Sequence, residues 1–139
     1  MRKLIAGNWK MHGSLASARA LARDVRAGAT GLAAELLVCP PVVHLAGVAG
    51  ELTGGPVAFG GQDCHQAASG AHTGDVSAPM LAELGATYVI LGHSERRAEH
   101  QESDALVQAK AVAAAAAGLT PILCVGEDEA DRLAGRALS

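Results

Sequence analysis

Aromatic side chains are nearly missing from this chain: Trp9, Phe59 and Tyr88 are the only three among 139 residues. A core so poor in rings has to be filled by Ala, Val, Leu and Ile. Surplus positive charge is missing as well. The formal net charge of -3 leaves no basic footprint for nucleic acid and no polybasic patch for a membrane surface. Cysteine is sparse: Cys39, Cys64 and Cys124 are odd in number, far apart and without CxxC spacing. That argues against a disulfide framework or a zinc site, and for free thiols in a reducing compartment. No apolar run reaches the length of a membrane span, and Leu4-Ile5-Ala6 is too short for the core of a secretory signal. The expectation is a soluble, cytoplasmic protein. No GxGxxG follows the first apolar run and no Walker A sequence is present, which counts against dinucleotide and nucleoside triphosphate binding.

What is present is globular. Hydrophobic residues make up 50% and charged ones 18%, a composition that buries a core. The length suits one domain, residues 1–139. Leu4-Ile5-Ala6 reads as a first strand that stops at Gly7-Asn8-Trp9-Lys10. Asn8 and Lys10 are two apart, so on an extended chain they face one side. A neutral amide donor beside a cation suits an anionic or enolate-like ligand. Ser14 to Ala27 carries Leu15, Ala18, Leu21, Ala22 and Val25 on one side, predicting an amphipathic helix with Ser14 as N-cap and Gly28 just past its end.

Further strands are expected at Leu36–Cys39, Val57–Gly61, Tyr88–Leu91 and Pro121–Gly126. Helices are expected over Val42–Leu52, Ser77–Leu84 and from Ser103 or Asp104 to Gly118, with the start of one more at Arg132–Leu138. The strands do not alternate cleanly between apolar and polar, as expected where crossover helices bury both faces. Strand and helix alternate about five times, the pattern of a parallel α/β fold with right-handed crossovers. The segment Gln62 to Val76 breaks that rhythm. It is polar and long for a βα connection. Its Cys64, His65 and His72 match no metal-ligand signature, so it reads as a loop projecting toward a partner subunit.

The stretch Tyr88-Val89-Ile90-Leu91-Gly92-His93-Ser94-Glu95-Arg96-Arg97 organises the rest. A short apolar strand ends at Gly92, which permits a sharp turn. His93 then stands at the strand's C-terminal mouth, where ligands bind in α/β proteins. Taken alone, it reads equally well as an ordinary loop histidine beside a solvated charge cluster.

Four segments decide between these readings: Gly7-Asn8-Trp9-Lys10-Met11, Gly70 to Ser77, Leu91 to Arg97 and Pro121 to Glu127. Together, in order and spacing, they resemble the triosephosphate isomerase family along the whole chain. The resemblance implies a TIM (β/α)8 barrel, a fold of about 250 residues, of which this chain would form a partial barrel of about five parallel strands. It implies an intramolecular aldose-ketose isomerase of glycolysis and gluconeogenesis. Such an enzyme interconverts dihydroxyacetone phosphate and glyceraldehyde 3-phosphate through an enediolate, with no metal and no organic cofactor. Carried onto matching positions, Lys10 would hold negative charge near the substrate's phosphate and reacting oxygens, and Asn8 would donate a hydrogen bond beside it. His93 would be the electrophile that polarises the carbonyl. This family is itself the standard example of a neutral histidine electrophile set by a helix N-terminus, so that tuning comes with the resemblance. Glu95 would pair with Lys10, Ser94 would meet the catalytic carboxylate in its open-lid position, and Cys124 would pack just behind the site.

The resemblance also implies a homodimer with isologous contacts. Thr73 would touch the neighbouring subunit's Asn8 region, and Asp75 would pair across the interface with Arg96. The family most often has Asn at position 12 and Glu at position 75, so the shorter Asp75 has further to reach. The family's catalytic glutamate lies on a sixth strand, followed by a lid and two phosphate-binding loops; Glu127 and Glu129 follow the fifth strand and do not replace it. The expectation is therefore the N-terminal part of such an isomerase, inactive by itself. A non-catalytic, self-associating barrel fragment is the second reading, and an unrelated phosphosugar-binding half-barrel is the third.

Overall fold

The computed structural model describes residues 2–126, so the helix expected at Arg132–Leu138 lies outside the described residues. Ten elements follow in order: β1 Leu4–Asn8, α1 Leu15–Gly28, β2 Glu35–Cys39, α2 Val42–Leu52, β3 Val57–Gly61, α3 Ala78–Glu83, β4 Tyr88–Leu91, α4 Ser94–Glu99, α5 Asp104–Ala116 and β5 Thr120–Leu123. The strands form one sheet in the order β1-β2-β3-β4-β5. Every neighbouring pair is parallel, in registers such as Asn8 to Cys39 and Leu91 to Leu123. The result is a curled half-barrel. No helix among the described residues is long and apolar enough to cross a membrane.

The strands look non-alternating because both faces are buried, each in a different core. Val38, Val57, Phe59, Val89 and Leu91 face the helices, joined there by Ala22, Leu45, Val48, Leu52 and Leu81. Leu37, Cys39 and Ile90 face the other way, with Ala58, Tyr88, Ile122 and Cys124 packed around them. Successive strand residues point to opposite faces, so these two sets define an outer, helix-covered layer and an inner one. On the inner layer Tyr88 Oη donates to Glu35 Oε1 at 3.0 Å, and that bond pushes the tyrosine hydroxyl above its ordinary pKa.

Several expectations need correction in detail. Helix α1 runs through Gly28 and closes at Ala29, whose N–H donates to Arg26 O. Its buried face is alanine: Ala18 and Ala22 are buried, whereas Leu15 and Leu21 remain 49% and 46% exposed. Leu15 is used sideways instead. A Cβ built at Gly47 would lie 2.6 Å from Leu15 Cδ1, so the missing side chain on α2 is what lets α1 approach. Strand β5 begins at Thr120 and ends at Leu123, shorter at its C-terminal end than its apolar run suggests. Ser14, Ser77 and Ser103 cap their helices as anticipated, each accepting a backbone N–H.

Candidate active site

The C-terminal ends of β1, β3 and β4 open into a cleft of about 490 Å³ lined by Asn8, Lys10, Gln62, His93 and Glu95 among others. Lys10 does not continue β1 as an extended residue. Its φ of +54° is left-handed, a conformation that costs a non-glycine residue on the order of 1 kcal/mol. Asn8 accepts the Lys10 N–H through Oδ1 at 2.9 Å, which commits the amide oxygen and leaves its NH2 group as the donor at the cleft wall. The turn swings the Lys10 ammonium to within 3.2 Å of Glu95 Oε2. Both side chains are about half exposed, at 50% and 47%, so the pair orients more than it stabilises.

His93 is the N-cap of α4, and its Nδ1 accepts the Glu95 N–H at 3.1 Å. With Nδ1 used as acceptor, a neutral ring carries its proton on Nε2. Glu95 meets His93 Nδ1 through its N–H, with its carboxylate Oε1 also 3.3 Å from that nitrogen, and holds Lys10 through Oε2. Ser94 opens α4 and is exposed. Cys124 packs against the inner layer, and burial raises its thiol pKa despite nearby Arg97.

Three groups that the sequence reading did not single out support this mouth. Gln62, directly after β3, donates its side-chain NH2 to Lys10 O and Cys39 O, both at 2.9 Å. Below α4, Lys110 Nζ lies 3.0 Å from Asp63 Oδ1 and 2.6 Å from Glu102 Oε2, and it is 5% exposed. Arg96 closes the cluster, 3.1 Å from Asp63 and 2.9 Å from Glu102. Burial lifts the Asp63 carboxyl above its ordinary pKa despite the Lys110 hydrogen bond. Burial also works to raise Glu102, but hydrogen bonds from Lys110 and Arg96 outweigh it and hold that carboxyl low. Arg97 brackets the end of β4, donating to the carbonyls of Gly92 and Cys124. A polar residue immediately after an apolar strand was the available signal for Gln62. A lone Lys inside an alanine-rich helix was the signal for Lys110.

The loop residues fall differently. Thr73 and Asp75 are exposed, and Asp75 lines the cleft. Within the chain Arg96 is engaged by Asp63 and Glu102. His65 and His72 stack on each other with ring centroids 3.9 Å apart, so they do not converge on a shared point.

Fold and site together define a TIM-barrel protein whose polar cleft opens at the carboxyl ends of its strands. The comparisons agree. The family model described as triosephosphate isomerase matches residues 3–139, and the chain belongs to the triosephosphate isomerase family. It is 61% identical over 137 residues to the triosephosphate isomerase of Acidiphilium cryptum (strain JF-5), covering 99% of this chain and 53% of that protein. The Xanthobacter flavus enzyme is 56% identical over 136 residues, with 98% and 54% covered. The crystal structure of triosephosphate isomerase from Bartonella henselae superposes with a TM-score of 0.93 at 45% identity, over 98% of this chain and 56% of that one. The chain thus spans about half the length of the curated relatives it matches.

Proposed function

We propose that residues 1–139 act as one domain that supplies the electrophilic half of a triosephosphate isomerase site. The observation that carries this is the single glutamate joining two functional groups. Glu95 holds Lys10 by its carboxylate at 3.2 Å and His93 Nδ1 by its N–H at 3.1 Å. His93 Nε2–H then faces a carbonyl oxygen of a bound triose phosphate and stabilises the charge that develops on it as the enediolate forms. Lys10 opposes the same charge and the phosphate dianion, and the Asn8 NH2 group donates beside it. Ser94, exposed at the start of α4, is the contact for the proton-abstracting carboxylate. That base comes from the part of the family's length this chain does not span. Asp63 and Glu95 are committed to Lys110 and Lys10, so neither is free to abstract a carbon-bound proton.

The small phosphosugar is held without a metal or organic cofactor. The loop Gln62 to Val76 serves a homodimer, with Thr73 and Asp75 at the contact, and the three free cysteines suit the reducing cytoplasm.

The test joins this chain to the remaining residues of the Acidiphilium cryptum enzyme and follows glyceraldehyde 3-phosphate formation in a coupled assay. The chimera turns over and the 139-residue chain alone does not. His93→Gln in the chimera lowers turnover about a hundredfold, the worth of one oxyanion donor at roughly 3 kcal/mol. Near-normal turnover in that variant removes the electrophile role, and turnover by the short chain removes the division of labour.

A further inference from the structure

The sequence places two arginines in succession after His93, and the second has no part in the chemistry above. Arg97 is the fourth residue of α4, yet its guanidinium reaches back past the start of the helix. Nε donates to Gly92 O at 2.7 Å, NH1 pairs with Asp104 Oδ1 at 2.6 Å, and NH2 donates to Cys124 O at 3.3 Å. One planar group thus ties together the end of β4, the chain just after β5 and the first residue of α5. Asp104 is 94% exposed, so its pairing is the weakest of the three.

The Gly92 carbonyl belongs to the peptide unit that joins Gly92 to His93. A planar peptide held at its oxygen cannot rock about its axis, so the bond from Nε fixes the direction in which His93 leaves the strand. The charge-assisted geometry is tight. Glycine at 92 is required twice over. Its φ is +66°, and a Cβ there would lie 2.8 Å from Arg97 NH2 and 2.9 Å from Val107 Cγ1. The close approach of the guanidinium and the missing side chain are parts of one arrangement.

We propose that Arg97 is a positioning residue for His93: its fork locks the Gly92–His93 peptide plane, and the Glu95 N–H then locks the ring with Nε2–H toward the cleft. The proposal rests on the reading that His93 works through Nε2–H. Lysine cannot replace the fork, because a single ammonium lacks the planar set of donors that spans both carbonyls.

The experiment reads the histidine ring nitrogens by 15N NMR on the 139-residue chain at pH 8, with His93 assigned by its loss in His93→Gln. The unsubstituted chain shows widely separated Nδ1 and Nε2 signals, as expected of one locked tautomer. In Arg97→Lys the two signals move toward their mean as the ring samples both tautomers. In Asp104→Asn, which removes only the exposed partner, they stay apart. Unchanged separation in a folded Arg97→Lys chain overturns the proposal. Should that variant fail to fold, the Arg97 Nε–H of the unsubstituted chain decides. A resolved, slowly exchanging proton supports the lock, and exchange at the rate of free arginine overturns it. Collapse of the tautomer signature together with an inactive chimera would leave the lock standing and remove the isomerase reading, so the two failures are distinguishable.

Discussion

The side-chain amide of Gln62 pins the backbone of Lys10: its Nε2 donates to Lys10 O at 2.9 Å, at the residue whose φ is +54°. The same nitrogen reaches Cys39 O, which also takes the Trp9 N–H. Gln62→Ala strips Lys10 O of that donor while leaving Cys39 O with one. Loss of two hydrogen bonds at a half-buried site costs about 1–3 kcal/mol, read as a lower urea midpoint at unchanged m-value. An unchanged midpoint removes Gln62 from the support of this turn.

Lys110 is the buried cation between two carboxylates. Lys110→Met leaves Asp63 and Glu102 facing each other with Arg96 as their remaining cation. Breaking a buried pair in this way costs about 3–5 kcal/mol, toward the lower figure here because Arg96 stays. Glu102 has the depressed carboxyl, so its contribution is present above the ordinary carboxylate value of 4.5 and is lost as pH falls below it. Glu102→Gln therefore loses stability at pH 7 and shows a flatter decline on acidification, checked by thermal melts between pH 3 and 7.

Two glycines give opposite expectations for the same change. A Cβ at Gly60 runs into the backbone carbonyl of Tyr88 on the neighbouring strand, whereas one at Gly50 on α2 meets nothing within 4 Å. Gly60→Ala forces β3 and β4 apart and destabilises the sheet severely. Gly50→Ala stabilises by about 0.5–1 kcal/mol through helix propensity. Melting temperatures that move in the same direction contradict this account.

The thiols should differ in reactivity. Burial pushes Cys39 from 9.0 to about 12 and Cys64 from 9.0 to about 11, while Cys124 is only partly buried. Thiolate is the reactive form, so iodoacetamide at pH 8 labels Cys124 first in the folded chain, as mass spectrometry of the digest would show. The folded Cys39 thiol holds its proton more tightly than the unfolded one. Its stabilising contribution is therefore full below pH 9 and lost as pH rises toward about 12.

Much of the scaffold was legible because it is locally encoded. The bounds of α2, β3 and β4 coincide with their apolar runs, and Ser77 and Ser103 cap the helices they precede. The pairing of Lys10 with Glu95 was implied by resemblance and is present at 3.2 Å. The Lys10 backbone was not legible, because an extended reading of Asn8-Trp9-Lys10 ignores the Asn8 Oδ1 bond that turns the chain. Gln62, Arg97 and Lys110 escaped for a common reason. Each acts on partners fixed by the tertiary arrangement, with hydrogen bonds that span 52, 27 and 47 residues to Lys10, Cys124 and Asp63 respectively. No local pattern encodes such a meeting.

Strand order in this sheet equals chain order, β1 through β5, with every pair parallel. A polypeptide emerging from the ribosome therefore never waits for a later strand before an earlier one can be paired. Each new βα unit finds its neighbour already made, and loop closure spans only one crossover at a time. Assembly of this half can keep pace with synthesis, growing from its N-terminal edge one unit after another.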